Sequence, residues 1–190
     1  MANEGKQFEQ SVETSCSEQG LFYFRVRDVN PMAIKKGQSV PKNKYDAIIY
    51  RKNYLFPVEL KSTKSTRISM SESMIKAYQI KSLKEAATYE GVIAGFLFNY
   101  RLPENRVFFI HIDEFLKYQN IAENQIKDHE YISKVNKASV PIGICEEIGV
   151  EVKCLKKVKH YRFFINALID ELIEKYGYRE VLNDKKINAN

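Results

Sequence analysis

Residues 44–61 read Lys-Tyr-Asp-Ala-Ile-Ile-Tyr-Arg-Lys-Asn-Tyr-Leu-Phe-Pro-Val-Glu-Leu-Lys, and their pattern decides the fold. Asp46 precedes an apolar run, Ala47 to Tyr50. A short polar turn, Arg51 to Asn53, leads into a second apolar run, Tyr54 to Val58, which ends in Glu59-Leu60-Lys61. Two apolar runs joined by a tight turn predict an antiparallel hairpin. Side chains alternate faces along a strand, so Glu59 and Lys61 point one way and Leu60 the other. The hairpin also brings Asp46 and Glu59 to the same end. Two carboxylates and an ammonium gathered at one strand end are costly for a fold alone. They suit a hard divalent cation held beside a phosphate.

The charge around this hairpin is strongly biased. From Arg25 to Arg67 there are eleven Lys or Arg against three acids, a local excess of +8 in a chain of net +6. Arg25, Arg27, Lys35, Lys36, Lys42, Lys44, Lys64 and Arg67 thus surround an acidic cluster with a basic field, which fits a polyanionic partner. Ser62 and the hydroxyls that follow it add phosphate-contacting groups. A second basic cluster comprises Lys153, Lys156, Lys157, Lys159, His160 and Arg162. It reads equally as a DNA-contacting surface or as a solvated face.

Other features bound the class. The 190 residues suffice for one domain with a real core. No apolar run approaches the ~20 residues that span a bilayer. The opening Met-Ala-Asn-Glu-Gly-Lys has no apolar segment, so a cytoplasmic protein is expected. Cys16, Cys145 and Cys154 are scattered, with no CxxC pair, and read as reduced thiols.

Outward from the hairpin, Glu4 to Gln19 predicts a helix stopped by Gly20, with Phe8, Val12 and Cys16 on its apolar stripe. Glu9 lies beside that stripe, as a rim carboxylate or as a third acid for the hairpin cluster. Leu21 to Arg27 predicts an aromatic strand, and Val29 to Asn43 a long basic loop. Ser71 is the expected cap of a helix reaching Tyr89. Its inward stripe contains Gln79, an amide needing a buried partner, unless the helix is rotated to put Tyr78 inward. Gly91 to Tyr100 is apolar nearly throughout, as in a strand buried on both faces. A strand over Arg106–Ile112 follows, then a short helix capped by Asp113 and a polar helix over Ala122–Asn136. A short hairpin around Gly149 and an amphipathic helix over Tyr161–Tyr176 complete the order, with Asn183–Asn190 disordered. The sum is an α/β fold: a central mixed sheet of about five strands flanked by helices, with a core over 1–120 and a helical, basic extension over 121–190 packed on the same domain.

The hairpin supports phosphodiester hydrolysis. Asp46, Glu59 and the Leu60 carbonyl supply oxygen ligands for Mg²⁺, with Mn²⁺ as a substitute, and Lys61 can orient or deprotonate a water or stabilise the transition state.

This layout of strand Asp, Glu-x-Lys, Gln-bearing helix and apolar strand resembles the PD-(D/E)xK nucleases and their restriction-endonuclease-like core. No Pro precedes Asp46. Within that superfamily, Gly5-Lys-Gln-Phe-Glu9, Tyr45-Asp46, Val58-Glu59-Leu60-Lys61-Ser62-Thr63 and Tyr78-Gln79-Ile80 resemble the motifs of the RecU family of Holliday-junction resolvases. The resemblance implies Asp46 and Glu59 as metal ligands, Lys61 as the catalytic lysine, and Glu9 and Gln79 as accessory catalytic residues. It also implies a homodimer acting on four-way DNA junctions in recombination and repair. The interval from Asp28 to Lys44 is much shorter than the RecU stalk, as in compact phage-type resolvases. Two other readings stand beside this one: a restriction-like or repair nuclease on ordinary duplex, and a non-catalytic basic DNA-binding module.

Overall fold

A computed structural model describes residues 4–26, 42–158 and 160–178. The expectations for Arg27, Lys35, Lys36, most of the long basic loop, Lys159 and the 183–190 tail lie outside these residues. The central hairpin forms as the pattern requires. Strand β2 (Ala47–Arg51) pairs antiparallel with β3 (Tyr54–Thr63), from Ala47 opposite Val58 to Arg51 opposite Tyr54. Lys52 and Asn53 make the two-residue turn with φ of 51° and 63°. Positive φ at both positions gives a turn whose twist matches the strands.

Four further strands complete one sheet: β1 (Phe22–Arg25), β5 (Gly95–Tyr100), β6 (Arg106–His111) and β8 (Val150–Glu151). The order is β1-β2-β3-β5-β6-β8, six strands rather than about five. Among the described strands only β3 and β5 run parallel, from Val58 beside Gly95 to Thr63 beside Tyr100. The crossover between them carries β4 (Arg67–Ser69) and helix α2 (Ala77–Ala86).

Alternation in the central strands divides the core in two. On one face Phe56, Val58, Leu60 and Leu97 meet Phe8, Val12 and Cys16 of helix α1 (Glu4–Glu18) and Leu168, Ile169 and Leu172 of helix α5 (Ile165–Tyr176). The C-terminal residues therefore share a core with the N-terminal helix. On the other face Phe96, Phe98, Tyr100 and Phe108 meet Leu83 of α2, Phe115 and Tyr118 of helix α3 (Ile112–Asn124), and Ile144 of helix α4 (Ile142–Ile148). Every residue of β5 is buried, because both faces of this strand are covered. Each fully buried Phe contributes about 1.5–3 kcal/mol.

Several boundaries differ from the expected ones. Helix α2 starts at Ala77, not after Ser71, whose carbonyl instead closes a turn by accepting from the N–H groups of Met74 (2.8 Å) and Ile75 (2.9 Å). Helix α3 is capped by His111, whose Nδ1 accepts from Asp113 N–H at 3.2 Å, so Asp113 is inside it. The polar helix over 122–136 does not form. Gln125 turns left-handed at φ 52°, and Glu147 then holds the N–H groups of Ile132 (3.0 Å) and Ser133 (2.7 Å) in place of a helical ladder. The C-terminal hairpin lies not around Gly149 but between β9 (Cys154–Lys156) and β10 (Tyr161–Phe163). That strand delays α5 to Ile165. Strand β7 (Ser139–Pro141), which pairs with β4, and α4 are too short for periodicity to reveal.

Gly95, at the start of β5, is where the sheet tolerates no side chain. A Cβ there would run into the Ile110 carbonyl oxygen and reach the Phe109 ring at 2.7 Å. Gly95→Ala is expected to destabilise the protein by about 1–3 kcal/mol or more, as overpacking does. An unchanged urea-unfolding midpoint would contradict this packing.

Candidate active site

The site is built at the start of β2, where β3 runs on past it. Ala47 opposite Val58 is the last ladder pair, whereas β3 extends to Thr63. Leu60 has therefore outrun its neighbour on that edge. Asp46, just before β2, bridges the gap. Its N–H donates to the Val58 carbonyl at 3.1 Å, and its Oδ2 accepts from Leu60 N–H at 2.8 Å. A strand residue presents its N–H and C=O to the same side, so the Leu60 carbonyl leaves on the Asp46 edge.

Glu59 is 1% exposed. It and Lys61 lie on the α2 face, while Leu60 enters the opposite core. Glu59 Oε1 accepts from Lys61 Nζ at 2.7 Å and from Gln79 Nε2. Gln79 is the inward member of α2, which answers the rotation question. Its Oε1 accepts from Lys76 N–H at 3.1 Å and from Lys61 Nζ at 3.4 Å, so the amide that orients Glu59 also caps its own helix. Tyr78 faces outward, with Lys42 Nζ 5.0 Å and Lys76 Nζ 5.8 Å from its ring centroid.

The second oxygen of Glu59 is different. Oε2 is buried and has no hydrogen-bond partner among the described residues. Its neighbour Asp46 is another acceptor, and two carboxylates bond only through a proton or a cation. Burial first, and then the Asp46 charge, push the Glu59 carboxyl up to about 7, with Lys61 opposing both. The folded state consequently binds a proton more tightly than the unfolded chain. Stability from this group is present at low pH and is lost as pH rises from about 4.5 through 7.

The remaining candidates are placed around this pair. Glu9 accepts from Arg25 Nη2. Arg25 stands opposite Ala47, so the Glu9–Arg25 pair flanks the same end of the sheet. Among the described residues no three His, Cys, Asp or Glu side chains gather as a metal cage. Lys44 reaches Glu85 at 3.5 Å, and Lys64 and Arg67 are exposed. Ser62 Oγ donates to Asn99 Oδ1 at 2.8 Å. Asn99 is a buried amide in β5 that belongs to none of the motifs, and its only signal in the sequence is a polar side chain in an apolar strand. No helix among the described residues is long and apolar enough to cross a membrane.

The chain is 56% identical over 178 residues to the SPbeta prophage-derived uncharacterized protein YotM of Bacillus subtilis (strain 168), covering 94% of this chain and 91% of that protein. The chain belongs to the YotM family. No family model matches it. Among solved structures it is similar to Hjc, a Holliday junction resolvase from Archaeoglobus fulgidus. That match has a TM-score of 0.48 and 14% identity, and covers 77% of this chain and 95% of that one. The likeness is distant, and the chemistry of the site rests on its own geometry.

The donor set suits a hard cation. A buried carboxylate oxygen without a donor, a second carboxylate beside it and a backbone carbonyl on the same edge are what Mg²⁺ or Mn²⁺ accepts, with water filling the remaining positions. Asp46→Asn keeps an acceptor for Leu60 N–H and removes the repelling charge. In metal-free buffer it is expected to lower the Glu59 titration midpoint by roughly one unit, read from the side-chain carboxyl ¹³C shift. A midpoint equal to or above that of the wild type would contradict the placement of the two acids.

Proposed function

We propose that this protein is a metal-dependent endonuclease of branched DNA, a Holliday-junction resolvase acting as a homodimer. The observation that carries the proposal is the orphaned Oε2 of Glu59 beside Asp46, with Lys61 locked to the other oxygen. Asp46, Glu59 and the Leu60 carbonyl would hold the cation. When bound it supplies charge neutralisation on the phosphate and a more acidic water. Lys61 is 13% exposed and lies within 2.7 Å of Glu59, so it has a fixed position from which to orient a nucleophilic water or meet charge on the phosphate. Gln79 positions Glu59 and does not itself touch the reacting atoms.

The motif resemblance to RecU supports the choice of DNA junctions. Lys42, over the Tyr78 ring, and Lys44, two residues before Asp46, put positive charge near the site, and Lys64 and Arg67 follow the end of β3. A junction has two equivalent strands to cut, which calls for two symmetric sites. Phe22 and Phe24, 58% and 53% exposed on the outer strand, offer an apolar surface for a second copy.

The test is Mg²⁺-dependent cleavage of a synthetic four-way junction against linear duplex with the same arms. Wild-type protein is expected to cut the junction selectively. Asp46→Asn, Glu59→Gln and Lys61→Ala are expected to lose roughly 10²–10⁴-fold in rate while still binding it. Sedimentation in the same buffer is expected to give a dimer. Equal cleavage of both substrates would remove the junction assignment, and undiminished cleavage by Glu59→Gln would remove the site.

A further inference from the structure

A cavity of about 220 Å³ lies away from the Glu59 site, on the α1 face of the sheet. Its floor is the aromatic pair Phe8 and Phe163, edge to face with centroids 5.7 Å apart. Its walls carry Arg101, Lys156, Lys157 and His160 together with the amides Asn99 and Asn105. Among the described residues that line it there is no acid. Four basic side chains converge here from two separate parts of the chain, the segment after β5 and the β9–β10 hairpin.

Hydrogen bonds hold the walls in place. Arg101 Nε donates to the Thr63 carbonyl at 3.3 Å, which anchors the guanidinium at the end of β3. The hairpin is closed by Lys157 N–H donating to the His160 carbonyl at 2.8 Å, which places Lys157 and His160 side by side. Asn99 Nδ2 donates to Asn105 Oδ1 at 2.9 Å. His160 Nε2 is buried and has no hydrogen-bond partner among the described residues. The basic side chains and amides that line this one cavity are the donors that an anion with several acceptor oxygens takes.

We propose that this cavity is a phosphate-binding pocket, with Arg101, Lys156, Lys157 and His160 as its donors. The pocket does not depend on the nuclease reading, since it shares no residue with the Asp46–Glu59 pair. A phosphate can belong to a nucleic-acid strand or to a small phosphorylated molecule, and the chemistry of recognition is the same for both.

The test is a titration of the whole protein with inorganic phosphate at constant ionic strength, followed through the imidazole resonances of His160. A saturable shift is expected. It should weaken roughly tenfold in Lys157→Gln, an exposed position whose change leaves the core untouched, as for loss of one charge-assisted bond. Lys61→Gln, in the other site, should leave it as in the wild type. An absent or non-saturable shift, or one undiminished in Lys157→Gln, would overturn the pocket. Displacement of the phosphate by a short 5′-hydroxyl oligonucleotide would assign the pocket to a nucleic-acid backbone, and its retention to a small phosphorylated ligand. Both results support a phosphate site.

Discussion

The ion pair between Glu59 and Lys61, closed over by Gln79, holds a negative charge where water has little access. Desolvating a carboxylate and an ammonium costs several kcal/mol per ion, and their attraction offsets this only when the other lone pairs are served. Here one oxygen is served twice, and the other meets no hydrogen-bond donor among the described residues. A chain shaped only for stability would do better with apolar residues at such a place. The arrangement makes sense if the missing partner is a cation, and the neighbouring acid, Asp46, stands where it would share that cation.

The fold serves this arrangement in three ways. β2 starts only at Ala47, which frees the edge of β3 at Leu60, so that Asp46 meets the strand with its side chain. The parallel pairing of β3 with β5 buries the back of the site against Phe96 and Phe98 and requires a crossover, which brings α2 and Gln79 over the acids. The tight turn at Lys52 and Asn53 fixes the hairpin register, and Asp170 of α5 fastens the turn through Arg51 (2.6 Å) and Lys52 (2.8 Å). A one-residue slip in this register would carry Glu59 and Lys61 into the apolar α1 face.

Much of this was legible from residues 44–61, because period-two alternation with one polar interruption has few solutions. It determined the hairpin, the common face of Glu59 and Lys61, and the nearness of Asp46. The Gln79 stripe announced a buried amide but not its helical phase, which depends on the late start of α2 at Ala77. That start is set by Gln79 itself, through its bond to Lys76 N–H, a tertiary and local effect at once. The C-terminal third was less legible. Elements such as α4, β7 and β8 are too short to show a period, and the stretch after Gln125 is held by side chains such as Glu147 and Tyr118 that local pattern does not connect to it. The cavity between Arg101 and the β9–β10 hairpin joins residues more than fifty positions apart, beyond the reach of any motif.

Whether the Asp46–Glu59 pair is a cation site is tested most directly by calorimetric titration with Mn²⁺ in the absence of DNA. At pH 8, where Glu59 is ionised, saturable binding is expected in the wild type and should be lost in Glu59→Gln, with weaker binding below pH 7 as protons compete. No binding by the wild type, or equal binding by Glu59→Gln, would contradict it.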